Sequence, residues 1–220
     1  MDDQVFFDFD GTIVDSERGI VAAVKKMVTV MQLPRLTDAQ YRLFIGPTLT
    51  VSLKRFFPTL SQEQVTAAVK QYQKEYDTKG LYQLDVYPGI EAALTTLKSA
   101  GYQLNVASAK PEWVLRRIID KFQLDTYFNG IYGATSDERV RSSKTAILAY
   151  GIEKSGASRS RSVMVGDRYT DMAGGNANQV KTLGVTYGFG DVAELRSSNA
   201  TALVASPAEL PAGVAKLLRV

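Results

Sequence analysis

Short apolar runs alternate with amphipathic stretches along most of this 220-residue chain. The apolar runs predict β-strands at residues 5–9, 103–107, 130–133, 162–166 and 181–186. Helices are predicted between them, for example where Pro111 is followed by Val114, Ile118 and Phe122 at helical spacing. Strands that alternate with helices are typical of a parallel sheet covered by helices, so the pattern predicts an α/β fold.

One interval breaks this alternation, because from residue 15 to about residue 78 the chain carries only helical signals. Thr37 and Gln40, and again Ser61 and Gln64, have the spacing of capping boxes at the start of helices. We therefore expect an inserted, all-helical cap domain over residues 15–81. Residues 1–14 and 82–220 are expected to build the sheet-containing core.

The composition excludes several classes of chemistry. The chain has no Cys and no His, which removes disulfides, thiolate nucleophiles, Ser-His-Asp triads and the usual zinc ligand sets. A net charge of +3 and a pI near 9.0 allow an anionic ligand. The basic residues are scattered rather than clustered with aromatic residues, so the sequence does not favour a nucleic-acid partner.

The sequence shows neither a membrane span nor a secretory signal. No run approaches the roughly 18 apolar residues of a membrane-spanning helix, and the Met1-Asp2-Asp3 start is acidic rather than basic. We expect a soluble, cytoplasmic protein that binds no membrane. The pattern leaves the oligomeric state open between monomer and homodimer.

The segment from Asp8 to Thr12 carries the strongest chemical signal. Asp8 and Asp10 follow an apolar run, and Gly11 and Thr12 come directly after them. Alternation along a strand directs both carboxylates to one side. Paired carboxylates are costly unless a cation lies between them or one keeps a proton, and both arrangements suit attack on a phosphate. The alternative for this short segment alone is an ordinary turn with solvated acids.

Three later segments add polar residues after strands or at helix starts. Ser108 follows the second predicted strand, Lys144 precedes a helical pattern, and Asp167 and Asp171 follow the fourth predicted strand. Ligands of open α/β sheets bind at the carboxyl ends of strands, so Asp8, Ser108 and Asp167 are expected to meet there.

In this order the four segments resemble the motifs of the haloacid dehalogenase superfamily. The helical insert after the first motif, with Tyr87-Pro88-Gly89 and the run from Tyr187 to Gly190, most resembles phosphoglycolate phosphatase-like and nucleotidase-like members. The resemblance implies a Rossmann-like core and hydrolysis of a small phosphorylated metabolite with Mg²⁺ as cofactor. It makes Asp8 the nucleophile that becomes an aspartyl-phosphate, and Asp10 the general acid and base.

The resemblance also implies the remaining roles. The expected metal ligands are Asp8, Asp10 through its backbone carbonyl, Asp167 and Asp171. The expected phosphate-binding residues are Gly11, Thr12, Ser108, Ala109 and Lys110. Lys144 is expected to neutralise phosphoryl charge, although the spacing alone leaves Lys110 as its rival.

Two residues of the insert, Arg42 and Thr48, are expected to contact the leaving group, because the loop between them resembles the family's substrate-reading cap segment. The alternative makes Arg42 a solvated charge and Thr48 a simple helix cap. Two other functions stay open: a sugar phosphomutase that uses the same aspartyl-phosphate, and a non-catalytic phosphate-binding protein. Dehalogenation is disfavoured, because dehalogenases of the family lack a carboxylate at the place of Asp10.

Overall fold

A parallel six-stranded sheet forms the centre of the computed structural model, which describes residues 2–136 and 140–218. In chain order its strands are β1 (Gln4–Phe7), β4 (Gln103–Pro111), β5 (Gly130–Ala134), β6 (Ser162–Gly166), β7 (Lys181–Val185) and β8 (Ala202–Val204). Their spatial order is β5-β4-β1-β6-β7-β8, and each adjacent pair is parallel. The predicted α/β class is confirmed.

Helices cover both faces of this sheet, which is why β1 and β6 at its centre are mostly apolar. In β1, Val5 and Phe7 pack into the larger hydrophobic cluster, whereas Phe6 packs into a second cluster on the other face. The flanking helices are α5 (Ile90–Ser99), α6 (Glu112–Lys121), α7 (Lys144–Ser155), α8 (Tyr169–Ala177), α9 (Val192–Ser197) and α10 (Leu210–Leu218). All five predicted strands are present, and β4 continues four residues beyond its predicted end.

The chain leaves the core through β2 (Val14–Asp15) and returns through β3 (Asp85–Val86), and these two short strands pair with each other in antiparallel orientation. Between them lie α1 (Glu17–Val30), α2 (Asp38–Arg42), α3 (Leu49–Phe56), α4 (Gln62–Glu75) and one π-helical turn (Tyr76–Gly80). Both predicted capping boxes are present, at Thr37 and at Ser61. The backbones of α1 and the π-helical turn touch, since a Cβ on Gly19 would lie 2.2 Å from the Gly80 carbonyl oxygen.

Across the described part of the chain, none of the helices combines the length and apolar character that crossing a bilayer requires.

Candidate active site

The site lies where three neighbouring strands end. β1 lies between β4 and β6, with Phe7 opposite Val106 on one side and Val165 on the other. Asp8 and Asp167 follow β1 and β6 directly, and Ser108 lies in β4 two residues beyond Val106. The sheet thereby brings together three residues that are 59 to 159 positions apart in sequence, as the pattern predicts.

Three buried carboxylates form a cluster at this edge of the sheet. Asp8, Asp167 and Asp171 each offer one oxygen, and these oxygens lie within 4.8 Å of one another. Backbone amides orient the three side chains: Phe9 donates to Asp8 Oδ1 at 2.7 Å, Phe189 to Asp167 Oδ2 at 2.7 Å, and Arg168 to Asp171 Oδ2 at 3.0 Å. The carboxylates are therefore held in place by the backbone of three different loops.

Lys144 joins this cluster from the start of α7. Its Nζ lies 2.7 Å from Asp8 Oδ1 and 2.8 Å from Asp171 Oδ1, and it donates to the Ala107 carbonyl at 3.0 Å. These contacts occupy the three donors of an ammonium group. Burial alone would lower the pKa of Lys144, but the Asp171 and Asp8 carboxylates raise it above its ordinary value. Lys144 therefore carries a fixed positive charge beside Asp8.

The cluster lacks positive charge. With all three carboxylates ionised, the one ammonium would leave two negative charges uncompensated. Burial and the Asp171 charge raise the pKa of Asp8 to about 7 against the opposing effect of Lys144, and burial with the neighbouring carboxylates raises the pKa of Asp167 well above its ordinary value. Asp8 Oδ2 and Asp167 Oδ1 are buried without a hydrogen-bond partner in the described chain. This set of hard oxygen donors fits a divalent cation.

Two glycines allow the loops to approach this cluster. Gly11 has a φ of 85°, and a Cβ on it would lie 2.1 Å from Asp167 Oδ2. A Cβ on Gly188 would lie 2.2 Å from the Gly11 carbonyl oxygen. Any larger residue at either position would push the 188–190 loop or Asp167 away, so both glycines are needed for the cluster to close.

Asp10 has a different set of partners from the acidic cluster. Its Oδ2 lies 3.1 Å from Lys110 Nζ, and Lys110 also donates to the Tyr76 hydroxyl at 2.9 Å. Asp10 Oδ1 is buried and has no hydrogen-bond partner among the described residues. Lys144 therefore pairs with Asp8, whereas Lys110 pairs with Asp10. Whether the Asp10 carbonyl faces a cation stays a prediction.

The expected phosphate-binding residues lie in β4 and between β1 and β2, and their polar groups are engaged to different degrees. The Gly11 amide donates to the Val14 carbonyl at 2.8 Å, and the Thr12 amide donates to the Phe9 carbonyl at 3.3 Å. The Thr12 hydroxyl is buried and lacks a partner within residues 2–136 and 140–218, whereas Ser108 Oγ accepts a long bond of 3.4 Å from the Lys110 amide. Phosphate binding through the Thr12 and Ser108 hydroxyls requires no loss of a strong bond, whereas binding through the Gly11 amide does.

The insert encloses two cavities beside the acidic cluster. One of about 70 Å³ borders Asp10, Ala109 and Lys110, and another of about 210 Å³ borders Lys144 and Ala109. Thr48 lines both cavities; it is 3% exposed, and its hydroxyl makes no helix-capping bond. The structure therefore shows no capping bond for Thr48, and its contact with the leaving group stays a prediction. Arg42 instead forms an exposed ion pair with Glu17 at 2.6 Å and lines neither cavity.

Arg168 and Tyr76 belong to the site although the sequence pattern assigned them no role. Arg168 is 3% exposed, donates to the Ile45 carbonyl of the insert at 2.7 Å and pairs with Glu194 at 2.8 Å. Tyr76 reaches Lys110 from the π-helical turn. The position of Arg168 beside Asp167 is a signal that sequence reasoning could have used, whereas nothing local marks Tyr76.

The profile of the haloacid dehalogenase-like hydrolases matches residues 5–185, a span that contains every residue of the acidic cluster and both lysines. The chain belongs to the haloacid dehalogenase-like hydrolase family. A 5'-nucleotidase of Pseudomonas aeruginosa is 33% identical over 208 residues, which cover 94% of this chain and 92% of that protein. Phosphoglycolate phosphatase 1 of the same organism is 28% identical over 192 residues, or 84% of this chain and 70% of that protein.

Tyrosine-protein kinase PtkA of Mycobacterium tuberculosis is also 33% identical, over 186 residues that cover 84% of this chain and 62% of that protein. Among solved structures, that of a predicted phosphatase from Clostridium acetobutylicum superposes with a TM-score of 0.93 at 33% identity, and it covers 98% of this chain and 99% of that one. The predicted family, the fold and the enzyme class, a haloacid dehalogenase-type phosphatase, are confirmed.

Proposed function

We propose that this haloacid dehalogenase-type phosphatase is Mg²⁺-dependent and hydrolyses a small phosphate monoester through an aspartyl-phosphate on Asp8. The observation that carries the proposal is the buried Asp8–Lys144 pair inside a cluster of three carboxylates that has one ammonium among its described contacts. A carboxylate needs no deprotonation to attack phosphorus at neutral pH, and its acyl phosphate hydrolyses readily.

In the first step an oxygen of Asp8 forms a bond to phosphorus as the bond to the leaving oxygen breaks. Asp10 gives that oxygen its proton from Oδ1, the oxygen that Lys110 does not hold. Lys144 offsets negative charge on the phosphoryl oxygens, which is the main demand of a loose transition state. The leaving group departs as an alcohol.

In the second step water attacks the aspartyl-phosphate. Asp10, now a carboxylate, takes a proton from that water, and the bond between Asp8 and phosphorus breaks to release inorganic phosphate. The fixed contact between Lys110 and Asp10 Oδ2 keeps the same oxygen available for both proton transfers. Asp8 then returns to its starting state.

Asp8, Asp167 and Asp171 would hold the Mg²⁺ ion, together with the Asp10 carbonyl that the family resemblance implies. When bound, the ion supplies positive charge that offsets repulsion between Asp8 and the incoming phosphate. The remaining charge on the phosphate is met by Lys144 and by the hydroxyls of Thr12 and Ser108.

Residues 15–81 form the cap in this proposal. Two contacts support closure of this segment over the core: the bond from Arg168 to the Ile45 carbonyl and the bond from Lys110 to Tyr76. A closed cap excludes water during the first step and contacts the leaving group. Similarity to proteins named 5'-nucleotidase and phosphoglycolate phosphatase 1 supports a substrate among nucleotides and small phosphate esters.

The test is release of inorganic phosphate from a panel of phosphate monoesters, with Mg²⁺, with Ca²⁺ and with excess chelator. We expect release with Mg²⁺ alone, in the absence of any bisphosphate primer. Unchanged activity in chelator would contradict the metal requirement. Transfer of phosphate only to a second substrate hydroxyl, or only to protein tyrosine, would contradict hydrolysis and indicate a mutase or a kinase.

Binding of the metal is also measurable without an activity assay, through thermal stability. At about 100 times its dissociation constant, a ligand of the folded state stabilises by about 2.7 kcal/mol, which corresponds to a rise in Tm on the order of 5–10 °C for a chain of this size. We expect Mg²⁺ to raise the Tm of the wild type and to have much less effect on Asp167→Asn. Equal shifts in both proteins would place the ion elsewhere.

A further inference from the structure

The cavity that Asp10 borders has aromatic walls. Phe44, Tyr72 and Tyr76 from the insert and Trp113 from the core line it. Tyr72 and Tyr76 stack with ring centroids 5.4 Å apart. Such walls suit a leaving group with flat or aliphatic surface, but they supply little hydrogen bonding. The polar atoms in this cavity therefore determine which end group it accepts.

Two polar atoms that border the cavity are buried without a hydrogen-bond partner among the described residues. They are Thr48 Oγ1, at the start of α3, and Asp77 Oδ1, in the π-helical turn next to Tyr76. Burial raises the pKa of Asp77, with Arg117 acting in the opposite direction. A buried carboxylate oxygen is costly unless something donates a hydrogen bond to it. The Asp77 oxygen therefore calls for a hydrogen-bond donor on the ligand, whereas the Thr48 hydroxyl pairs with a donor or an acceptor.

The charged residues that line the cavity also favour a leaving group with hydrogen-bond donors. Lys110 is the only cationic residue among the described residues that line the cavity, and its ammonium already contacts Asp10 and Tyr76. Asp10 and Asp77 are the lining carboxylates. A leaving group that ends in a carboxylate would approach the Asp77 carboxylate, while the lining lysine already has other partners. Like charges brought together in a desolvated site are strongly unfavourable.

We propose that Asp77 selects the substrate by its end group, so that leaving groups ending in a hydroxyl or an ammonium are accepted and those ending in a carboxylate are rejected. This rests on the phosphatase function proposed above and narrows its substrates to phosphate esters of alcohols such as polyols and nucleosides. Thr48 donates to, or accepts from, the same hydroxyl-bearing group. Phosphoglycolate is then a poor substrate.

Three two-carbon esters isolate the end group, because they differ little in size: phosphoglycolate ends in a carboxylate, 2-hydroxyethyl phosphate in a hydroxyl and O-phosphoethanolamine in an ammonium. At pH 7.5 with Mg²⁺ we expect kcat/KM for phosphoglycolate to be at least about tenfold below that for the other two esters. Asp77→Asn should reduce this gap to within about threefold. The rate on p-nitrophenyl phosphate reports whether the phosphatase chemistry itself is intact.

Glu75→Gln is the matched control. Glu75 ends α4 two residues before Asp77, so its substitution removes the same charge from the same segment, but it does not line the cavity. We expect the control to keep the wild-type gap between the three esters. A gap that narrows equally in both variants would show an effect of overall charge and would overturn the proposal.

The wild type also tests the inference without any variant. Equal or higher kcat/KM for phosphoglycolate than for 2-hydroxyethyl phosphate would overturn it while leaving the phosphatase function standing. Absence of phosphate release from p-nitrophenyl phosphate and from all three esters would instead overturn the proposed function on which the inference rests. A loss of all rates in Asp77→Asn with the gap unchanged would assign Asp77 a structural role and would also overturn the inference.

Discussion

The acidic cluster at the sheet edge and the cavity under the insert differ in how their polar groups are satisfied. At the sheet edge Lys144 has three acceptors, and the side chains of Asp8, Asp167 and Asp171 each accept at least one bond from a backbone amide. In the cavity Thr48 and Asp77 each keep a buried polar atom without a partner among the described residues. At the sheet edge the atoms left without a partner, Asp8 Oδ2 and Asp167 Oδ1, are those that a cation would occupy, whereas the atoms left without a partner in the cavity are available to the substrate.

The difference has a physical cause. A buried charge without a partner costs several kcal/mol, so the charged groups of the cluster must be fixed by the fold. Leaving a hydroxyl or a single carboxylate oxygen without a partner at a partly open cavity costs less free energy, so such a group needs no partner until a ligand binds. Chemistry and choice of leaving group should therefore respond separately to substitution, and the following four predictions test that separation.

The largest effect is expected for Asp8→Asn. The amide has nearly the same shape but is a poor nucleophile, so kcat should fall by a factor of about 10³ or more on every ester. Circular dichroism should show an intact fold. Asp2→Asn, which alters an exposed acid ahead of the same strand, is the control and should keep wild-type activity. Residual activity above roughly a tenth of the wild-type rate would contradict covalent catalysis.

The two lysines offer the next test, because they serve different carboxylates. Lys144→Met should lower kcat/KM by about 10³ on all esters. In chelator it should also lower the free energy of unfolding by about 3 kcal/mol, since it leaves the buried carboxylates uncompensated. Lys110→Met should cost only about tenfold and only on alkyl phosphates, whose leaving oxygen needs the Asp10 proton.

Steady-state kinetics with an alkyl phosphate and with p-nitrophenyl phosphate, together with denaturant unfolding, measure both variants. The division of roles would be wrong if Lys110→Met reduced the p-nitrophenyl phosphate rate as much as Lys144→Met does.

A smaller and more selective effect is expected for Tyr76→Phe. The ring, its stacking on Tyr72 and its contact with the Lys110 ammonium at 4.8 Å remain, while the hydroxyl that accepts from Lys110 is lost. Since Asp10 is then held less firmly, kcat/KM should fall about fivefold on alkyl phosphates and less than twofold on p-nitrophenyl phosphate. Tyr72→Phe removes a hydroxyl from the same stacked pair and serves as control. An equal loss on both esters would mean that Tyr76 only supports packing.

The smallest effect is expected for Arg42→Ala. Its ion pair with Glu17 is exposed, with the Arg42 side chain 63% accessible, and exposed pairs contribute little. All rates should stay within about twofold of the wild type, with the ranking of esters unchanged. A change in that ranking would support the contact between Arg42 and the leaving group that the sequence predicts. It would also show that the two cavities are not the complete leaving-group site.

The sequence predicts the sheet edge better than the cavity, because the two depend on contacts of different range. Capping boxes at Thr37 and Ser61 involve residues three positions apart, so they can be recognised in the sequence. Asp8 and Asp167 follow strands, so the parallel sheet alone places them together. The sequence does not predict β8, because its three residues at a sheet edge, Ala202–Val204, are too few to show a periodic pattern of apolar positions.

The cap-side contacts could not be predicted in the same way. Tyr76 meets Lys110 across 34 residues, and Arg168 meets Ile45 across 123 residues. Neither contact follows from strand order, since each depends on how the insert lies on the core. The sequence leaves the choice between Lys144 and Lys110 open for the same reason, because only the packing of α7, which begins at Lys144, brings that lysine to Asp8.

The pairing of β2 with β3 has a consequence for the history and the engineering of this chain. The two crossings between the sheet-containing part and the insert lie side by side, with Val14 opposite Val86 and Asp15 opposite Asp85. A module whose two ends are adjacent is exchangeable, because its replacement changes neither the path nor the register of the strands on which it sits. A different insert grafted between residues 15 and 85 would inherit the same reaction and bring its own substrates.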